Sequence, residues 1–218
     1  MQVRAGRPRG EAFKSVTAIP LRIYSDFLCP YCYLAEKQLE RLAGEYRFVV
    51  HWTGFELHPE IPAGGVKAGL IGPDSLSHVW ERVEKTAAEL EIPIKPPSRL
   101  PNTHLALEAA VELGQTETGA RFRSRVFDAF FLEDRDIGAQ PVLLDLAAGA
   151  GADTARLREA LDGRVHFDTV ESNREAGYDE LVTGVPTILA GGLRSLGVQP
   201  LDTYRGLFDH YLRKAADA

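Results

Sequence analysis

Cys29 and Cys32 stand two residues apart where a short run of strand-forming residues, Leu21-Arg22-Ile23-Tyr24, gives way to a helix. From Pro30 to Glu45 the apolar residues Ala35, Leu39, Leu42, Ala43 and Tyr46 recur at helical spacing, so one face of an amphipathic helix packs inward. Pro30 suits its first turn, where the backbone N–H has no partner within the helix. Next, Arg47-Phe48-Val49-Val50-His51-Trp52-Thr53 is largely apolar on both alternate faces, the pattern of a strand covered on both sides of a sheet. The result is a β-α-β unit with a thiol pair at its helix start. Two cysteines in 218 residues cannot form a disulfide framework, so their purpose is chemical.

The remainder of the chain is organised around that unit. The segment Glu56 to Gly65 is rich in Pro and Gly and ends the alternation. Between about Asp74 and Leu161 the period becomes helical, which predicts an all-α insertion. Asp74 is a candidate cap for a helix bearing Leu76, Val79, Trp80, Val83, Ala87 and Leu90. Asn102 is a candidate cap for one bearing Leu105, Ala109 and Leu113; Phe122, Val126, Phe127 and Phe130 mark a third helix. Pro141 and Asp153 open two short helices, and Val165 to Leu181 reads as one more. Thr187-Ile188-Leu189-Ala190, Gly191-Gly192 and Leu193-Arg194-Ser195-Leu196 predict a hairpin with a primed turn, before an amphipathic helix through Tyr204, Leu207, Phe208 and Tyr211.

Composition narrows the partners. A 44% hydrophobic, 26% charged chain can bury a sizeable core, and a net charge of −6 lacks the basic face of a nucleic-acid binder. No apolar run is long enough to span a bilayer. Residues 1–18 carry Arg4, Arg7, Arg9 and Lys14 with no apolar stretch of signal-peptide type, and are expected to be a flexible leader of a cytoplasmic protein.

A β-α-β unit with Cys-Pro-x-Cys at its helix start, a helical insertion, and a later Val-Pro before a hairpin and terminal helix resembles the DsbA family of thioredoxin-fold proteins. The likeness covers nearly the whole chain from Leu21. It is most similar to the FrnE-type branch through Ser25-Asp26-Phe27-Leu28-Cys29-Pro30-Tyr31-Cys32-Tyr33, Phe55-Glu56-Leu57-His58-Pro59-Glu60, Asn102-Thr103-His104, Phe130-Phe131-Leu132-Glu133-Asp134-Arg135-Asp136-Ile137-Gly138 and Thr183-Gly184-Val185-Pro186-Thr187. Two positions depart from that branch: Tyr31, often tryptophan there, and Glu56, where a neutral residue is expected. The resemblance implies an α/β, thioredoxin-like fold with an all-helical domain inserted after the second strand. Residues 19–65 and 163–218 would form the thioredoxin-like domain and residues 66–162 the insertion.

A thiolate, not a thiol, attacks a disulfide, and a helix N-terminus favours the charged sulfur through its unpaired N–H groups and dipole. Cys29 is therefore the expected nucleophile and Cys32, one turn further in, the resolving cysteine. By resemblance, Val185 and a cis-Pro186 face the pair, and these two with Pro30 and Tyr31 bind substrate. Asp26 and Glu56 are candidates for proton transfer, although a loop or capping role for Asp26 and an exposed loop position for Glu56 also fit. A zinc site would need two of six histidines, none closely paired, so no metal is expected. His51, His58 and His104 read as polar-packing or surface residues, with His104 a weaker candidate for the active site. Tyr31 and Tyr33 read as rim residues, the Phe122–Phe131 run as helical core, and Arg121, Arg123 and Arg125 as a solvated face.

The expected activity is thiol:disulfide exchange on a disulfide- or thiol-containing protein or small molecule, with no bound cofactor and glutathione only as a co-substrate. Nucleic acid and membrane are not expected partners. Related glutathione-dependent 2-hydroxychromene-2-carboxylate isomerases and kappa-class glutathione transferases carry serine at the position of Cys29 and lack the second cysteine. An isomerase or transferase of that type is the alternative; a redox-sensing binding protein is another.

Overall fold

The computed structural model of the chain describes residues 17–68 and 73–217. The leader falls almost wholly outside these residues, as do the side chains of Asp74 and Leu76. In chain order the elements are β1 (Ile19–Ser25), α1 (Pro30–Leu42), β2 (Phe48–Gly54), β3 (Val66–Lys67), α2 (Pro73–Glu89), β4 (Arg99–Leu100) and α3 (His104–Leu113). There follow α4 (Glu117–Phe131), α5 (Gln140–Ala150), α6 (Thr154–Asp162), α7 (Phe167–Asp179), β5 (Thr187–Ala190), β6 (Leu193–Leu196) and α8 (Leu201–Ala216). No helix among the described residues is long and apolar enough to cross a membrane.

Four strands form the sheet in the order β2-β1-β5-β6. β1 and β2 are parallel, with Ile19 opposite Phe48 and Ser25 opposite Gly54, as a helical crossover requires. β5 runs antiparallel to β1, and β6 to β5. The β5–β6 turn is made by Gly191 and Gly192 at φ of 53° and 86°, the two positive values that a type I′ hairpin demands and glycine supplies without strain. β2 was expected to be covered on both faces. Its second face is largely open instead: Phe48 and Trp52 point into the core while Val49 and His51 are exposed, on a strand that also lies at the edge of the sheet. The apolar run hid this because Val49 is apolar without being packed. α1 also stops at Leu42, three residues short of the periodic pattern; Ala43 and Tyr46 are buried in the turn that follows it.

In α2 to α6 the described residues of the expected apolar faces are buried or half-buried. α7, by contrast, buries only Val170 and Gly177 and leaves Phe167 and Tyr178 exposed, and Val165 and Leu181 of the predicted helix are exposed as well. A two-residue antiparallel pairing of β3 with β4 lies beside these helices. Asp153 caps α6, accepting from the N–H groups of Ala155 and Arg156 at 3.0 and 3.2 Å. At α3 the cap position belongs to Thr103, not Asn102; Asn102 accepts from the His104 N–H at 3.0 Å from one position further out. The hydroxyl of Thr103 is engaged elsewhere, at the active site.

The helical layer is fused to the sheet by aromatics. Phe27 stacks on Trp52 at 5.3 Å and meets Phe127 of α4 edge-on at 5.1 Å. Each buried aromatic of this kind stabilises the fold by about 1.5–3 kcal/mol. Tyr33 is part of this seam and not of a rim: it is buried against Phe131, and its hydroxyl donates to the Pro93 carbonyl at 3.0 Å. Arg123 likewise leaves the solvated face assigned to it. It is buried, donates to the Gly114 carbonyl at 3.1 Å and lies over the Trp52 ring at 5.3 Å, a cation–π placement. α7 closes on the other face of the sheet, and Gly177 lets it approach Phe55 closely.

Candidate active site

β1 delivers Ser25 and Asp26 to the edge of the sheet, and the chain turns through Phe27 and Leu28 to reach α1. Cys29 is the N-cap of that helix, extended at φ −83° and ψ 115°. Its carbonyl accepts the first helical bonds, from the Cys32 N–H at 3.0 Å and the Tyr33 N–H at 3.2 Å. Its sulfur makes no capping bond and instead lies 3.5 Å from the Val185 carbonyl, at the cis Val185–Pro186 bond. The Val185 carbonyl, at this cis bond, therefore faces the Cys29 sulfur from across the fold. Both cysteines are free thiols. Cys29 borders a cavity, whereas Cys32 is only 2% exposed behind it. Burial foremost, and then the neighbouring Cys29 sulfur, hold the Cys32 thiol well above its ordinary range; hydrogen bonding to Ser25 and the Asp26 backbone opposes this only in part.

Asp26 sits beneath the pair with no exposed surface. Its Oδ1 accepts from the Leu28 N–H at 3.2 Å and from the Thr103 hydroxyl at 2.8 Å; its Oδ2 accepts from the Leu57 N–H at 2.7 Å. One carboxylate thus ties the cysteine loop to the segment after β2 and to the start of α3. Burial raises its pKa, the three hydrogen bonds pull it back, and the charge of Glu56 adds a smaller upward push.

A cavity of about 560 Å³ opens beside Cys29. Pro30, Tyr31, Leu57 and Ile61 line it together with Trp80 of α2 and Leu100 of β4. Its lining is mostly apolar, with His58 and Glu60 at hand as an ion pair 2.8 Å apart. The helical segment contributes directly to this lining.

Glu56 does not join the sulfurs. It is buried and lies with its Oε2 3.0 Å from His104 Nδ1 and 3.8 Å from Arg174 Nη1. This overturns both the exposed-loop position for Glu56 and the surface position for His104. The two belong to a second polar group with Glu108 of α3 and Glu171 and Arg174 of α7. His104 is within the sequence motif Asn102-Thr103-His104, so its importance had a signal. Glu108, Glu171 and Arg174 had none, because isolated charges on helices read as solvated faces.

A family model described as the DsbA-like thioredoxin domain matches residues 20–209. The chain belongs to the DsbA family. Among curated proteins this DsbA-family chain is 30% identical over 179 residues to Uncharacterized protein YwbO of Bacillus subtilis, covering 79% of the chain and 87% of that protein. It is 26% identical over 180 residues to 2-hydroxychromene-2-carboxylate isomerase of Pseudomonas sp., covering 77% and 80%. Of solved structures, a probable DsbA oxidoreductase from Streptomyces coelicolor superposes with a TM-score of 0.76 at 18% identity, over 89% of this chain and 90% of that one. Cytosolic disulfide reductase DsbM from Pseudomonas aeruginosa, solved with GSH, gives 0.64 at 21% identity, over 89% and 99%. The thioredoxin-like fold with helices inserted after the second strand is thereby established for the family member described here.

Proposed function

We propose that this DsbA-family protein is a thiol:disulfide oxidoreductase that works by exchange through a mixed disulfide on Cys29. The observation that carries this reading is the placement of the Cys29 sulfur, at a helix N-terminus, on an apolar cavity and 3.5 Å from the Val185 carbonyl, with Cys32 one turn behind it. In the reductive direction, the Cys29 thiolate attacks one sulfur of a substrate disulfide; that S–S bond breaks and the distal sulfur leaves as a thiolate that takes up a proton. Cys32 then loses its proton and attacks Cys29, forming the Cys29–Cys32 disulfide and releasing the second substrate thiol. Two electrons pass to the substrate, and the reverse sequence oxidises a dithiol. Because its thiol is held protonated by burial, Cys32 needs a base, and Asp26, buried at the same place, is the group we assign to it.

Substrate enters against Pro30 and Tyr31, and Val185 and Pro186 hold its backbone from the opposite side. The substrates we assign are disulfide- or thiol-containing proteins or small molecules, with no bound cofactor. Glutathione is a fitting co-substrate, and a neighbour of the same fold is a disulfide reductase solved with GSH. That neighbour's description as cytosolic also supports a cytoplasmic assignment. The experiment is insulin reduction and dithiol oxidation by wild type, Cys29→Ser and Cys32→Ser. Cys29→Ser should be inactive and Cys32→Ser should accumulate mixed disulfides; activity surviving in Cys29→Ser sinks the proposal.

A second reading, glutathione-dependent isomerisation of an aromatic substrate, is favoured by the apolar cavity and by the relationship to a 2-hydroxychromene-2-carboxylate isomerase. Tight glutathione binding with turnover of such a substrate and no dithiol oxidation would select it.

A further inference from the structure

Behind Asp26 and away from the sulfurs, three side chains from three elements converge. Glu56 follows β2, His104 opens α3 and Glu171 lies on α7; one ligand atom from each falls within 4.8 Å of the others. His104 Nδ1 is 3.0 Å from Glu56 Oε2 and 4.0 Å from Glu171 Oε1. The Glu56 side chain is 1% exposed, yet its Oε1 has no hydrogen-bond partner. A buried carboxylate oxygen without a donor costs about 1–3 kcal/mol. Arg174 Nη1, also without a hydrogen-bond partner, lies 3.8 Å from the other oxygen, Oε2, and does not satisfy Oε1, which is therefore open to a ligand.

The surroundings have the form of a metal site's support. The far nitrogen of His104, Nε2, also lacks a hydrogen bond but points at Glu108 Oε1 across 3.7 Å, and that fully buried carboxylate is gripped by Arg164 Nε and Nη2 at 2.7 Å each. Metal-bound histidines commonly donate their second N–H to a carboxylate. Glu108 stands on the side of His104 where such a carboxylate would be, although at 3.7 Å that bond is not made, and Nδ1 is in hydrogen-bond contact with Glu56. Arg174 Nη2 holds Glu171 Oε2 at 2.8 Å, leaving Oε1 for the centre. The Phe167 ring, 4.4 Å from the imidazole, fixes its plane. Three carboxylates stand here against two guanidinium groups, a surplus of negative charge beside a histidine.

We propose that Glu56, His104 and Glu171 form a binding site for a first-row divalent metal ion such as Zn²⁺. Bond lengths of about 2.0–2.2 Å place neighbouring ligand atoms about 2.8–3.6 Å apart at coordination angles from right-angled to tetrahedral. The Glu56–His104 pair already has that spacing, and Glu171, with a side chain 35% exposed, closes the remaining distance and provides the entry path. Two carboxylates and one imidazole suit borderline cations such as Zn²⁺ over Mg²⁺, and three protein ligands leave a coordination position open to solvent or substrate. The expectation of no metal considered ligands around the cysteine pair; this donor set has none of the cysteines in it.

The test removes the thiols first. The Cys29→Ser/Cys32→Ser chain, metal-stripped, is titrated with Zn²⁺ by calorimetry and dialysed against Zn²⁺ with elemental analysis, with Mg²⁺ as control. One zinc per chain is expected, with affinity at least tenfold lower after adding Glu171→Gln and Mg²⁺ not competing. Glu171→Gln is half-accessible and keeps the shape of the side chain, and circular dichroism checks that it folds; His104→Gln should behave alike. Absence of zinc in the thiol-free chain, or the same affinity with Glu171→Gln, overturns the proposal.

Discussion

Glu36 lies on the second turn of α1, partly buried, where a second cavity of about 380 Å³ separates that helix from β1, β2 and α4. Loss of solvent there, reinforced by the negative charge of Glu40 and only partly relieved by Arg123, pushes its pKa from 4.5 up to about 7. A rise of that size corresponds to roughly 3 kcal/mol, at about 1.4 kcal/mol for each tenfold change. The sign follows from proton binding. Between pH 4.5 and 7 the folded chain keeps the proton that the unfolded chain has lost, so this residue's stabilising contribution is complete below 4.5 and disappears as pH rises through 7. Glu36→Gln keeps the shape and removes the ionisation. Allowing for the side chain's remaining contact with water, the variant should match wild type at pH 4.5 and exceed it by about 1–3 kcal/mol at pH 8, or about 2–4 °C in Tm per kcal/mol. Urea unfolding of both chains across this range measures the difference, in which every other titrating group cancels. A difference independent of pH, or one that grows toward acid, refutes burial as the cause.

Alkylation by iodoacetamide at pH 7, read by mass spectrometry, should label Cys29 and spare Cys32, which is buried and held protonated; early labelling of Cys32 contradicts that environment. Thr103→Val removes a donor from the buried Asp26 carboxylate and should destabilise the chain by about 1–3 kcal/mol, more at high pH than at low, because it drives that carboxyl's pKa further up. A pH-independent loss would mean that Asp26 is not ionised in the folded state. Gly177→Ala places a methyl group 2.7 Å from the Phe55 ring and should cost about 1–3 kcal/mol in thermal or urea unfolding, with thiol exchange left in place.

Much of the architecture was legible along the chain because its signals are local. The periodicity behind Cys29-Pro30-Tyr31-Cys32 predicts α1, Gly191-Gly192 predicts its hairpin turn, and Asp153 caps the helix it precedes. These depend on backbone preferences within a few residues. The errors came where burial is set by a distant partner. Arg123 sits in a helix with Arg121 and Arg125 and resembles them in sequence, yet it alone lies over Trp52, a residue on β2. Val49 looks like core but lies on the largely open face of its strand, since which face is covered is a property of the whole fold.

The active site divides along the same line. The cysteine pair is announced by two residues at fixed spacing at a helix start, and its position follows from that neighbourhood. Asp26 was visible as a candidate only; its burial depends on Leu57 and Thr103, brought from 31 and 77 positions away. The group around His104 was further still from view. Glu56, Glu108 and Glu171 come from three segments, and each alone has the composition of a solvated surface. They gather around one imidazole, Glu56 and Glu108 buried and Glu171 half-buried, because α3 and α7 pack against the same end of the sheet. Local backbone preference sets where a helix begins; which charges end up sharing a site depends on long-range packing, and no short stretch of sequence encodes it.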